Sequence, residues 1–295
     1  MSTASRQPLP VAGIAYAVLA MACFAVLDTT NKFLIASVPL LMVLWFRYAF
    51  QALASTAVMW PRNGMTMFQT QNFRLQMVRG LLLMMCSLLG FTSLKYMPVA
   101  EFTAFIMLTP LVVTALARFV MKEHVSGGRW LFVSGGLIGA LLIVRPGGSM
   151  DTSHAWLPLS LVMSNAAFQI LTSHMAKTES PVTMHLYTGW VGALIASVLV
   201  AWGAWTIELS PFEWGLMLLI GCAGTFGHYL LILAFSRAPA ASVTPFLYSG
   251  IAFATFGGWL VFAHMPDIWA RTGMLLIALC GVGAAWLSHR EHHAP

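Results

Sequence analysis

The sequence predicts an all-α integral membrane protein that crosses the bilayer ten times. Of its 295 residues, 59% are hydrophobic and only 8% are charged, whereas soluble domains usually carry about 25% charged residues. A chain with so few charges cannot cover a water-facing surface, so lipid is expected to be its main solvent. Apolar segments close to the ~20 residues that a membrane helix needs recur along the whole chain.

Ten apolar segments are the predicted spans, and very short turns separate them. Pro39, Pro98, Pro181 and Pro239 lie in these turns, where the missing N–H of a proline favours the start of a helix. The predicted spans are Val11–Ala36, Leu40–Trp60, Leu75–Lys95, Pro98–Met121, Trp130–Val144, Trp156–Ala176, Val182–Trp205, Phe212–Phe235, Ala240–Phe262 and Ile268–Leu287.

The two halves of the chain repeat each other. Pro98 at the start of the fourth span corresponds to Pro239 at the start of the ninth, and Pro39 corresponds to Pro181 at nearly the same offset. Five spans are an odd number, so the second repeat must be inverted in the membrane relative to the first, a construction that transporters use. The predicted domains are the repeats 1–147 and 148–295.

The distribution of Lys and Arg predicts that both termini are cytoplasmic and that the protein is a multi-pass protein of the cell inner membrane. Basic residues are more frequent in cytoplasmic segments than in exported ones. The side of the membrane that carries both termini has Arg6, Arg62, Arg74, Arg79, Lys122, Arg129, Lys177, Arg237 and Arg290. The opposite side has Lys32, Lys95, Arg145 and Arg271.

Two motifs resemble those of a known family. The fourth and ninth helices both begin with a Pro-Ala-Thr pattern, in 98–103 and 239–244, and an acidic turn at Glu123 precedes a Gly-rich fifth helix. In this the whole chain resembles the EamA-type domain of the drug/metabolite transporter superfamily, although His264 stands where an acid is common. The Met-rich and aromatic-rich character is similar to the bacterial aromatic-amino-acid exporter (YddG-like) group. That resemblance implies export of amino acids, with aromatic and other apolar ones favoured.

Polar residues inside the spans are the candidate site, because a polar group in lipid needs a partner or a water-filled cavity. Asp28 and Lys32 are four residues apart on the first helix and can neutralise each other, although Asp28 could also titrate. Asn165, Gln169 and Thr172 form a stripe on one face of the sixth helix. The stripe predicts a cavity wall, and interhelical hydrogen bonding is the alternative.

Other candidates are spread over several helices. His228 is either a packed ring or a substrate contact, and Arg79 either receives a carboxylate or extends to lipid phosphate. Arg47 and Arg118 are expected to be structural or to extend to the membrane surface. Aromatic contacts to the substrate are expected from Phe24, Phe105, Phe168, Tyr229 and Tyr248, and the pocket is expected to be lined by the first, third, fourth, sixth, eighth and ninth helices.

Other residues are candidates for hinges in the helices and for the coupling of transport to protons. Pro110 and Pro245 lie within the fourth and ninth spans, where each could kink its helix and act as a hinge. Asp28, Glu101 and His228 are the groups that could couple transport to protons. The Gly135–Gly139 pair in the fifth helix predicts close packing, within the chain or in a dimer.

The sequence therefore predicts a secondary transporter that exports amino acids and related metabolites by alternating access. One alternative keeps the fold and changes the substrate to riboflavin, a nucleoside or an organic cation, with proton exchange as an option. A second alternative is a non-transporting sensor or scaffold. No enzyme motif or nucleotide-binding motif is present, so neither catalysis nor a cofactor or metal is expected. The expected partners are a small-molecule substrate and the bilayer, without nucleic acid, as a monomer or homodimer.

Overall fold

The computed structural model describes residues 11–120, 126–144, 152–175, 178–201, 208–237, 243 and 246–293. These residues form α-helices joined by short turns and contain no strand. Two short 3₁₀ helices, Gly64–Phe68 and Thr152–His154, lie in the connections. The α-helices are α1 (Val11–Leu34), α2 (Leu40–Asn63), α3 (Phe73–Tyr96), α4 (Val99–Ile106), α5 (Thr109–Val120), α6 (Gly127–Val144), α7 (Trp156–Met175), α8 (Pro181–Ala201), α9 (Pro211–Arg237), α10 (Ser249–Phe262) and α11 (Ile268–His293).

The helices correspond to the ten predicted spans, so the all-α membrane fold is confirmed. Six of the helical segments are long and apolar enough to cross a bilayer, and four shorter apolar segments accompany them. Together α4 and α5 supply the fourth span, and α10 supplies the described part of the ninth. The side of the membrane on which the termini lie remains a prediction.

The two halves of the chain interlock along their length. Each span of the first half packs against a span of the second half: α1 on α9, α2 on α8, α3 on α7, α4 on α10 and α6 on α11. If every span is replaced by the corresponding span of the other half, five positions away in chain order, the same five pairs result. The pairing is what two related halves facing each other would produce, and it places the seam between them at the centre of the bundle. The boundary between 147 and 148 remains a prediction.

Glycines bring α6 and α11 into close contact. A Cβ on Gly139 would lie 2.8 Å from the carbonyl oxygen of Gly273. A Cβ on Gly135 would clash with Cys280 on α11, and one on Gly136 would clash with Leu111 on α5. Small residues let helix backbones approach closely in a membrane. The close packing predicted for the Gly135–Gly139 pair is therefore made within the chain.

The fourth span is broken, which the sequence predicts only as a kink. The helix ends at Ile106 and restarts at Thr109, with Pro110 in the first turn of α5. Proline has no N–H to donate and its ring clashes with the carbonyl four residues earlier, which here belongs to Ile106. A tighter turn replaces the α-helical bond, since the Leu108 N–H donates to the Phe105 carbonyl at 2.9 Å. Pro245 and the start of the ninth span lie outside the described residues.

Candidate functional site

Arg79 joins three helices at the seam between the two halves. It lies on α3 and is 4% exposed. Its Nε donates to Thr172 Oγ1 on α7 at 2.8 Å, and its Nη1 donates to the Met184 carbonyl at 2.8 Å and to Thr188 Oγ1 on α8. The guanidinium carbon lies 4.8 Å from the ring centroid of Phe168, which is within cation–π range. Arg79 is therefore fixed inside the bundle and does not extend to the lipid surface.

Arg47 lies on α2 and is also inside the bundle, at 2% exposure. Its Nη2 donates to Ser87 Oγ on α3 at 2.7 Å, and its guanidinium carbon lies 4.2 Å from the ring centroid of Tyr48. Gly224 on α9 faces it, since a Cβ there would be 3.5 Å from Nη1. Of the two alternatives for Arg47, the structural one therefore holds, and extension to the membrane surface does not occur. The side chain of Arg118 lies outside the described part of the chain.

Two histidines, His185 and His228, are further candidates for the site. His185 on α8 is buried, with Nε2 at 3.0 Å from Ser55 Oγ, and its ring centroid lies 6.0 Å from that of Tyr229. The His228 ring on α9 meets the Phe24 ring edge-on at 4.9 Å. The structure thus brings together Phe24, His228 and Tyr229, which the sequence proposes as substrate contacts, and adds His185, which the sequence does not propose; their contact with substrate remains a prediction.

Contacts between helices connect the charged and titratable residues of this region. Gly224, which faces Arg47, lies one turn from His228 on α9, and Phe24, which meets His228, lies one turn from Asp28 on α1. Met184 and Thr188, which accept bonds from Arg79, lie on either side of His185 on α8. We call Asp28, Arg47, Arg79, His185 and His228 the central polar cluster. Because the interior of a membrane protein screens charge weakly, its two buried guanidinium groups create a positive potential. Such a site attracts an anionic group.

The stripe on α7 lines the same region. Thr172 accepts the bond from Arg79, and Asn165 Nδ2 donates to Thr109 Oγ1 on α5 at 3.3 Å. Gln169 lies between them in the sequence and is exposed. Interhelical hydrogen bonding, one of the two alternatives for the stripe, therefore occurs at Thr172 and Asn165, and the cavity wall remains a prediction.

Two predicted aromatic contacts occupy other positions. Phe105 is fully buried in the apolar core, and the Tyr248 hydroxyl donates to the Met107 carbonyl at 3.1 Å. That carbonyl lies in the break between α4 and α5, so Tyr248 supplies a donor where the helix has lost one. In this conformation neither side chain offers a free surface, and their contact with substrate remains a prediction, as do the hinge roles of Pro110 and Pro245.

A second polar group closes one end of the bundle. Lys32 Nζ donates to the carbonyls of Leu94 and Met97, at 2.6 and 2.9 Å, where α3 ends. Glu101 on α4 is fully buried, and its Oε1 lies 3.1 Å from His264 Nε2. The expected pairing of Lys32 with Asp28 is therefore wrong. Terminal carbonyls of a helix lack partners in their own chain segment and attract cations, and α3 ends within reach of Lys32.

The turn after α10 directs His264 towards Glu101. Ala263 takes the left-handed conformation, with a φ of 52°, and the His264 N–H donates back to the Gly258 carbonyl at 3.2 Å. This pattern is the C-terminal cap that commonly ends helices. A cavity of about 260 Å³ lies beside the pair and is lined by Lys32, Pro98, Val99, Gly258, Phe262 and His264.

Glu179 closes the opposite end. It is 6% exposed, and its Oε1 accepts bonds from Thr70 Oγ1 at 2.8 Å and from the N–H groups of Gln71 and Asn72 at 3.0 and 2.9 Å. These groups precede α3, so the carboxylate ties the α7–α8 turn to the segment that leads into α3. A cavity of about 490 Å³ lies alongside. The ends of α3, with 24 residues, are about 36 Å apart, so the two polar closures lie at opposite faces of the bundle.

The second and seventh spans are the main omission of sequence reasoning, because they supply Arg47 and His185. A signal was present: Arg47, Gln51 and Ser55 follow one another at four-residue steps and so share one face of α2. All three are buried, which shows that this face points into the protein.

A bundle of ten apolar spans with buried charged residues between its two halves is typical of multi-pass membrane proteins that transport solutes. Residues 11–145 match the EamA-like transporter family. This part of the chain is therefore similar to the transporters of that family, which belongs to the drug/metabolite transporter superfamily.

Characterised relatives extend the similarity over most of the chain. A riboflavin transporter of Brucella anthropi is 26% identical, over 81% of this chain and 86% of its own length. An S-adenosylmethionine uptake transporter of Rickettsia prowazekii is 28% identical, over 90% and 89%. The pseudopaline exporter CntI of Pseudomonas aeruginosa is 25% identical, over 91% and 94%. One solved structure superposes with a TM-score of 0.66 over 97% of this chain and 100% of that one, and at 16% identity this is a likeness of fold.

Proposed function

We propose that this protein moves a small organic metabolite across the bacterial inner membrane by alternating access, with the central polar cluster as its binding site. The relatives carry riboflavin, S-adenosylmethionine and pseudopaline. These names support the alternative of another metabolite better than the export of aromatic amino acids. Amino acids become secondary candidates, and the YddG-like resemblance remains a prediction.

The observation that carries the proposal is the position of Arg79. It belongs to the first half of the chain, while its partners on α7 and α8 belong to the second half. Alternating access moves one half against the other around a fixed site near the middle of the membrane. A charged group that bridges the two halves can sense both the substrate and the relative position of the halves.

The direction of transport is left open by this proposal, because the relatives include an uptake transporter and an exporter. Asp28, Glu101 and His228 remain the candidates for proton coupling. Of these, Asp28 and His228 belong to the central polar cluster, whereas Glu101 belongs to the closure at one end. Only the first two could exchange a proton with bound substrate directly.

Uptake into proteoliposomes tests the proposal. The purified protein is reconstituted, and radiolabelled S-adenosylmethionine, riboflavin and phenylalanine are offered one at a time. We expect saturable uptake of at least one of them. Replacement of Arg79 by Gln should lower the rate about 10-fold or more, because a charged hydrogen bond is worth ~1.5–3 kcal/mol.

Arg62→Gln is the matched control, since Arg62 lies at the exposed end of α2 and contacts neither the cluster nor the closures. This variant should transport at the rate of the unmodified protein. The proposal fails if no compound enters faster than into empty liposomes. The site assignment alone fails if Arg79→Gln transports normally.

A further inference from the structure

We infer that the substrate bears a carboxylate, and that Arg47 and Gln51 on α2 bind it together with Arg79. This inference rests on the proposed function and assigns the substrate class for the same site. It makes α2, which the sequence did not implicate, one of the binding helices.

The first support is a set of buried polar atoms without partners. Within the described residues, Arg47 Nε and Gln51 Nε2 are donors without an acceptor, and Gln51 Oε1 is an acceptor without a donor. Both side chains are at most 2% exposed, and they are one helical turn apart on the same face of α2. A buried polar group without a partner is unfavourable. A ligand carboxylate would supply acceptors to the two donors.

The second support comes from Arg79. Its contacts within the described residues use Nε and Nη1, which orient the guanidinium and leave Nη2 as a donor. A planar guanidinium group suits the two oxygens of a carboxylate. Two buried guanidinium groups in the cluster, each with a donor not used by the described residues, therefore favour a carboxylate as the ligand.

The third support is the charge balance of the central polar cluster. The cluster contains two guanidinium groups and a single carboxyl group, that of Asp28. An uncompensated charge inside a membrane protein is unfavourable. A substrate carboxylate brings the charge balance closer to zero, whereas an organic cation without a carboxylate would worsen it. The inference therefore argues against the cationic alternative.

Aromatic side chains define the rest of the ligand. Phe168 lies against the Arg79 guanidinium, and Phe24 lies against His228. Both rings are partly exposed, so they offer faces to a planar group beside the charged donors. The ligand that fits these contacts is a planar aromatic or heteroaromatic ring attached to a carboxylate.

Benzoate and its neutral analogue benzamide test the inference on purified full-length protein in detergent. The two compounds have nearly the same shape and differ in charge. At about ten times its Kd, benzoate should raise the midpoint of thermal unfolding by about 3 °C, and benzamide at the same concentration should raise it by less than 1 °C on the same scale. The Arg62→Gln variant should respond to benzoate as the unmodified protein does.

The variants locate the effect. Arg47→Gln should abolish the benzoate shift, and Arg47→Lys should keep part of it, because it retains the charge and loses the planar fork. If Arg47→Gln does not fold, Gln51→Leu serves instead and should at least halve the shift. The inference falls if benzoate gives no shift, if benzamide equals it, or if the folded variants respond fully. Uptake into proteoliposomes decides the proposed function independently of these results.

Discussion

Removal of the Glu179 side chain should open the end of the bundle that it closes. One carboxylate oxygen accepts three hydrogen bonds there, two of them from N–H groups in the segment before α3. A hydrogen bond to a charged group is worth about 1.5–3 kcal/mol, and bonds that share one oxygen do not add fully. We therefore assign about 2 kcal/mol to the contact as a whole.

If the contact exists only while this end is closed, its loss shifts the balance between closed and open forms by about 30-fold. Thr183 reports on the change, because it lines the adjacent cavity and is 2% exposed. A cysteine at this position, with the four native cysteines replaced by alanine, should react with a maleimide about 30-fold faster when Glu179→Ala is added, provided that the open form is rare. Glu179→Gln retains one acceptor and should give a smaller increase.

Glu213 provides the matched control. It caps α9 with Ser210 and accepts a bond from Ser37 Oγ at 2.8 Å. It is an acid at a helix start as well, but it lies at the other end of the bundle. Glu213→Ala should leave the labelling of the cysteine at 183 unchanged. Equal labelling with and without Glu179→Ala would refute the reasoning that this carboxylate holds the end closed.

Three further changes test individual contacts by thermal unfolding of the purified protein. Tyr248→Phe removes the donor to the Met107 carbonyl and should lower the midpoint by about 2–4 °C; an unchanged midpoint would show that the bond adds nothing. Ala263→Gly relieves a left-handed residue and should raise the midpoint by about 1–2 °C, so a decrease would contradict the strain. Glu101→Gln replaces the carboxylate that lies 3.1 Å from His264 Nε2 and should lower the midpoint by about 2–4 °C; a midpoint equal to that of the unmodified protein would count against a stabilising contact.

The sequence was sufficient for the elements and their order, because each span is a long apolar segment and short turns fix its ends. The repeat was visible in the spacing of prolines such as Pro98 and Pro239. From the repeat, the sequence also predicted that the site lies between the halves, and this remains a prediction. Pairing such as that of α1 with α9 follows from the fold and cannot be read from either segment alone.

The site was harder to predict, because its geometry depends on which helices are neighbours. Arg47 looks like a charge that could extend along lipid, and only the presence of Ser87 and Gly224 on adjacent helices shows that it is inside. Lys32 looks like a partner for Asp28, since both are on one helix, but the carbonyl end of α3 lies closer. In both cases a local rule was overridden by a contact between distant segments.

Counterflow is the measurement that tests the central claim most directly. Proteoliposomes are loaded with the unlabelled compound that the uptake assay identifies as a substrate, and a trace of the same compound with a radiolabel is added outside. A protein that works by alternating access exchanges the two through its single site, so the label should accumulate transiently above the external concentration. Arg79→Gln should abolish this peak, and Arg62→Gln should preserve it. Label that only equilibrates, or a peak that survives Arg79→Gln, would contradict the account.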